Sequence, residues 1–235
     1  MKIANRYRPL IFGLGAALGW VTPSEARFLQ VDPVGYKDQT NLYAYVGDDP
    51  VNRSDPTGLF RDIYIGGASD YNSRIVASYA ERQVAAHPNR SILYFSGGDR
   101  HGIAQAIETT PRGEPLNIAG HSLGGAEAIR QANATNRHVD NLITIDPVDL
   151  PGRAVSPNLS LENVGTWTNV TANPTTSDGS DRVAALGGKV DASVTNQADQ
   201  NISSSAHHGQ FDQMMRDSRA GRAIERSYRR RDNGN

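Results

Sequence analysis

The chain contains no cysteine. That excludes a disulfide framework, thiolate metal sites and a cysteine nucleophile. It leaves the compartment open, because a chain of 235 residues can bury a core without covalent staples. Charge of one sign is lacking too: 24 Lys and Arg stand against 25 Asp and Glu. No global field therefore argues for nucleic acid as a partner, and no basic stretch is interleaved with aromatics. There is no G-x-x-x-x-G-K phosphate loop, no histidine cluster at metal-ligand spacing, and no internal repeat of about 20–50 residues.

The apolar stretch Leu10–Trp20 is too short to span a bilayer comfortably. Lys2, Arg6 and Arg8 precede it, Pro23 breaks it, and Ser24-Glu25-Ala26 has small residues where a signal peptidase reads. Residues 1–26 are expected to be a Sec-type signal peptide, cut after Ala26, that exports the protein to the periplasm or beyond; the alternative is a buried strand or helix. Residues 27–59 are dominated by Pro, Gly, Asp, Asn and Tyr, with turn dipeptides at Asp32-Pro33, Asp49-Pro50 and Asp55-Pro56. Two Asp-Pro-x-Gly units flank Asn41-Leu42-Tyr43-Ala44-Tyr45-Val46. This segment resembles the end of the RHS-repeat core, a family whose β-shell encapsulates a polymorphic C-terminal toxin. The resemblance implies a self-cleaving site built on Asp32 and Asp55, with the cut after Leu59.

From residue 60 onward, strand and helix patterns alternate. Strands are expected at 62–65, 91–95, 115–119, 141–146 and 164–170. Helices are expected at 70–87, 101–108, 126–132 and 210–228. Such alternation predicts an α/β fold over 60–235, a mostly parallel sheet with helices on both faces and ligands at the carboxyl ends of the strands. The polar stretches 150–163 and 171–206 are long enough to hold a lid.

Within this pattern lies Gly120-His121-Ser122-Leu123-Gly124-Gly125. It fits G-x-S-x-G, the nucleophile elbow of α/β-hydrolases, with an apolar run before it and good helix formers after it. Gly120 and Gly124 spare a sharp strand-to-helix turn from Cβ crowding, and Ser122 would project alone above the sheet edge. A serine hydroxyl needs a base, and the base needs a carboxylate to fix its tautomer. In this fold the chain order is Ser, acid, His.

Three histidines follow Ser122. His138 comes too early for that order, so the base is His208 or its neighbour His207. His208 is favoured, because the stretch Gly209-Gln210-Phe211-Asp212 after it resembles the surroundings of the base in RHS-associated lipase-like toxins. The acid is Asp181 or Asp146. Asp181, preferred here, sits in Ser180-Asp181-Arg182-Val183-Ala184-Ala185-Leu186, which resembles fungal-type (class 3) lipases. Asp146, in Ile145-Asp146-Pro147-Val148, resembles the aspartate of pancreatic-type lipases. The other of the two would be a helix cap or a strand-end turn. Oxyanion donors are expected at the Leu123 N–H and in the loop Gly66-Gly67-Ala68, with Ser96-Gly97-Gly98 as competitor.

The reading implies a serine ester hydrolase of the lipase or phospholipase class, needing no cofactor. The RHS resemblance adds the role of an exported antibacterial toxin acting on membrane phospholipid, with a cognate immunity protein as partner. Alternatives are a non-catalytic secreted binding module on a hydrolase scaffold, or a hydrolase of soluble esters or thioesters. A basic run, Arg216 to Arg231, reads either as a face for anionic headgroups or as a solvated helix face.

Overall fold

The structure, a computed structural model, describes residues 61–88 and 90–232. The expected signal peptide and the RHS-like segment lie outside the described residues. The elements are β1 (Arg61–Gly66), α1 (Asp70–Ser73), α2 (Ile75–Ala86), β2 (Ser91–Ser96), α3 (Arg100–Glu108), β3 (Leu116–His121), α4 (Leu123–Ala134), β4 (Asn141–Ile145), β5 (Trp167–Ala172), α5 (Gly179–Gly187), α6 (Ala192–Thr195), β6 (Gln200–Ser204), α7 (Phe211–Asp217) and α8 (Ala220–Asp232). The six strands form one sheet in the order β2-β1-β3-β4-β5-β6, and every pairing is parallel. The α/β expectation therefore holds.

Because side chains alternate along a strand, each strand feeds two cores. Ile63, Ile65, Ile118 and Leu142 face one way, with Ile103 and Ile107 of α3 and Ile129 of α4. Tyr64, Ala119, Ile143 and Ile145 face the other, with Val76 of α2, Phe211 and Met214 of α7, and Ile224 of α8. Chain order reverses between β1 and β3, and such a reversal opens a crevice at the carboxyl ends of the strands.

Two polar ladders run across the sheet in register with the strand pairing. Asn117 donates to Asp62 (2.8 Å) and Asn141 donates to Asn117 (2.6 Å), each across one strand. Further along the sheet, Thr144 donates to Asn169 (2.8 Å) and Asn169 to Asn201 (2.9 Å).

Three details differ from the sequence expectation. The helix expected at 70–87 breaks into α1 and α2 at Arg74, where φ is 51°. The closing helix breaks at Arg219, where φ is 56°. The stretch 171–206 carries α5, α6 and an additional edge strand, β6. On the last two helices Arg216, Arg222, Arg226, Arg229 and Arg230 are exposed, as is Arg219 between them, while Ala220, Ala223, Ile224 and Tyr228 are buried, an ordinary amphipathic division.

The start of α4 lies directly on the backbone of β1 and β3. A Cβ at Gly120 would sit 2.1 Å from the Gly124 carbonyl oxygen, and one at Gly124 would sit 2.3 Å from that of Ile65. These are backbone atoms that cannot swing aside. Gly120→Ala is therefore expected to lower unfolding stability by about 3 kcal/mol or more, at the severe end of overpacking. Urea denaturation reads this directly, and an unchanged midpoint would refute the packing described.

Candidate active site

Ser122 occupies the turn between the last residue of β3 and the first of α4. Its backbone is at φ 57°, ψ −126°, a region that costs a non-glycine residue about 1–3 kcal/mol. The turn is over-determined from outside. The Ser122 N–H donates to the Ile145 carbonyl (3.0 Å), and its own carbonyl accepts from Gly125 (2.9 Å) and Val148 (3.0 Å). Four non-glycine residues among those described have positive φ. Two break helices; the other two are Ser122 and Asp146.

Asp146 is Ser122's neighbour by register. His121 pairs with Ile145, so Ser122 and Asp146 are the residues that directly follow two adjacent strands. Asp146 is 2 % exposed. Its Oδ1 accepts from the Ala172 N–H (3.0 Å) and lies 3.5 Å from Lys189 Nζ. Its Oδ2 is 2.7 Å from His208 Nδ1. Burial works against charge on this carboxyl, but the His208 bond, Lys189 and the Ala172 N–H outweigh it and hold its pKa below the ordinary value. A carboxylate only accepts, so Nδ1 of His208 carries the hydrogen, and a neutral ring then presents its lone pair at Nε2. The Ser122 hydroxyl is half-buried and has no side-chain hydrogen bond, to His208 or to any other described residue. Such bonds are often loose until substrate tightens them.

The hydrogen bonding divides the sequence candidates differently from the expectation. Asp181, the preferred acid, makes no hydrogen bond to the His208 ring, whose partner is Asp146. It is the third residue of α5, and its Oδ2 accepts from the Asp178 N–H (2.8 Å) to complete a capping box with Asp178. The same oxygen lies 2.6 Å from His207 Nδ1. Its Oδ1 accepts from the His208 backbone N–H (2.8 Å). Burial opposes its charge, yet these bonds prevail and hold its pKa well below the carboxylate range, while raising that of His207. The partner of His208 is thus Asp146, and Asp181 is instead a clamp on the loop that carries both histidines. Ligand atoms of Asp178, Asp181 and His207 lie within 4.8 Å of one another, the spacing a cation site needs, but the capping box and the loop clamp already account for them.

The glycine loops separate in the same way. A Cβ at Gly67 would lie 2.8 Å from Ser122 Cβ and 3.1 Å from its Oγ, so the loop after β1 lies against the serine. Gly97 instead packs on Gly66 and Gly124. Leu123 opens α4, where backbone N–H groups have no carbonyl one turn back and carry the positive end of the helix dipole. Gly67, Ala68, Gly97 and Leu123 line a pocket of about 380 Å³. Another part of its wall is charged, with Glu127, Arg130, Asp149 and Arg153. Glu127 is buried and has Arg130, Arg100 and Arg153 at 3.4, 3.6 and 3.7 Å, while Arg130 also pairs with Asp149. Sequence reasoning missed this cluster. Its one trace was a lone carboxylate, Glu127, among the small residues that follow Ser122.

No family model matches the chain, and no curated protein matches it at a significant level.

Proposed function

We propose that the chain is a serine ester hydrolase of the α/β-hydrolase kind. One observation carries the reading: a strained serine at a strand-to-helix turn stands in register beside a buried aspartate that is bonded to a late histidine. The order Ser122, Asp146, His208 is the one this fold uses.

In the acylation half, Ser122 Oγ attacks an ester carbonyl carbon while His208 Nε2 takes the hydroxyl proton. Asp146 stabilises the resulting imidazolium and keeps its own negative charge. The charge that develops on the carbonyl oxygen is met by the Leu123 N–H, with the Gly67 loop supplying the second donor. The tetrahedral intermediate collapses, the bond to the alcohol oxygen breaks, and His208 returns the proton to that oxygen. In the second half water attacks the acyl-serine, His208 takes its proton, and the acid leaves as Ser122 regains its hydrogen.

Membrane phospholipid is the substrate class proposed, and the surface supports it. The exposed large hydrophobic residues among those described are Tyr71, Leu150, Val183 and Leu186. Tyr71 and Leu150 line the pocket beside the Gly67 loop, and Val183 and Leu186 lie on α5, the helix whose Asp181 holds the loop of His207 and His208. Exposed apolar side chains beside a pocket suit contact with a lipid surface. With the RHS-like segment, this supports an exported toxin that deacylates phospholipid and is countered by an immunity protein. Hydrolysis of a soluble ester is the second reading, favoured by the charged wall of the pocket.

The deciding assay measures fatty-acid release from phosphatidylglycerol–phosphatidylethanolamine vesicles beside hydrolysis of p-nitrophenyl butyrate. Release from vesicles by the native chain and none by Ser122→Ala is the expected result. Activity on the soluble ester alone would end the lipid reading, and activity on neither would end the enzyme reading.

A further inference from the structure

We infer that His121, the residue before the nucleophile, is a positioning residue that holds the base of the site against the nucleophile's own strand. The inference rests on the hydrolase reading above and concerns a side chain that the proposed mechanism does not use.

His121 ends β3 and is 4 % exposed. Its Nε2 lies 2.7 Å from the backbone carbonyl oxygen of His208. A carbonyl only accepts, so Nε2 carries the hydrogen and donates it. The two rings lie against each other at a tilt, with centroids 4.6 Å apart and planes at 35°. The Phe211 ring meets that of His121 edge-on, with centroids 5.7 Å apart. The imidazole of His121 is therefore packed and hydrogen-bonded in one orientation.

The His208 residue is held at three points. Asp146, after β4, takes its ring; Asp181, in α5, takes its N–H; His121, in β3, takes its carbonyl. Of the three, the His121 bond is the one that comes from the strand bearing Ser122. It fixes base relative to nucleophile, whereas the other two fix base relative to neighbouring elements. Nucleophilic attack is steep in this distance, because the reacting groups must meet within about 3–3.5 Å and in line.

This ring contact also imposes a condition on charge. During acylation His208 becomes an imidazolium, and a second cation beside it would oppose proton transfer. Burial, with His208 itself next, lowers the His121 pKa to about 4, against the opposing pull of its hydrogen bond to His208. His121 thus stays neutral while its neighbour cycles.

The test uses the full chain, with p-nitrophenyl butyrate and a fluorophosphonate probe, on His121→Phe and His121→Gln. Phenylalanine keeps a ring and loses the donor. Glutamine loses the ring and keeps an N–H at similar reach. His121→Phe is expected to lower kcat and the labelling rate by about 100-fold, with KM within about threefold, the cost of a displacement near 1 Å. His121→Gln is expected to recover most of that loss. If His121→Phe does not fold, His121→Met, an adaptable apolar side chain without a donor, carries the same comparison. A folded Phe or Met variant that reacts at the native rate overturns the inference. So does a Gln variant that is folded and as slow as the Phe variant. A native protein that is not labelled at all overturns the hydrolase reading instead, and the inference with it.

Discussion

Ser122→Ala is expected to fold and to lose ester hydrolysis by about 10⁶-fold in kcat, as removal of a serine nucleophile from such a triad does. The substitution deletes one half-buried oxygen that has no side-chain hydrogen bond among the described residues, so little else changes. The backbone yields a second expectation. At φ 57°, ψ −126° an alanine keeps the strain of the serine, and a glycine does not. Ser122→Gly is therefore expected to be as inactive as Ser122→Ala yet more stable by about 1 kcal/mol, part of the 1–3 kcal/mol such conformations cost. Urea denaturation of the pair provides the check. An alanine variant with near-native turnover would remove Ser122 from the chemistry. A glycine variant no more stable than alanine would mean that the turn stores no strain.

The second large effect separates two aspartates that the sequence presents as rivals. Asp146→Asn is expected to lower kcat by about 10⁴-fold, because an amide facing Nδ1 turns the imidazole to the wrong tautomer. Asp181→Asn keeps an acceptor for the His208 N–H and weakens the capping box and the His207 contact. It is expected to cost about 1 kcal/mol of stability, the scale of a lost cap, and less than tenfold in kcat. Steady-state kinetics on both variants checks the contrast. A reversed result would move the site to Asp181 and His207. Acid sharpens the comparison. The pKa of Asp146 is depressed by the fold, so its contribution to stability is fully present above the unfolded carboxylate value of about 4 and is lost as pH falls below it. Any stability deficit of Asp146→Asn should therefore narrow on acidification.

The parts of this molecule that are legible in the sequence are those where one physical demand has one chemical answer. The turn around Ser122 is legible because only glycine fits at 120 and 124, where a Cβ would meet backbone. Strands β1, β3 and β4 are legible because burial on both faces leaves runs of Ile, Leu and Ala. β6 is not, because the edge strand Gln200–Ser204 buries only its last residue fully and takes its place through Asn201 and backbone pairing. The breaks at Arg74 and Arg219 carry no glycine or proline to announce them. The choice of acid was open because Asp146 and Asp181 each follow a strand in a plausible context. What separates them is the pair Asp178 and Asp181, spaced to cap a helix, which commits one carboxylate before the site is assembled. His207 and His208 divide for the same reason, since each ring is claimed by a different aspartate.

The most direct measurement labels the protein with a fluorophosphonate and maps the adduct by peptide mass spectrometry, for the native chain and for His207→Ala and His208→Ala. A serine activated by His208 gives one adduct, on Ser122, that persists in His207→Ala and is lost in His208→Ala. An adduct elsewhere, or labelling of Ser122 undiminished without His208, would contradict the pairing of this hydroxyl with that imidazole.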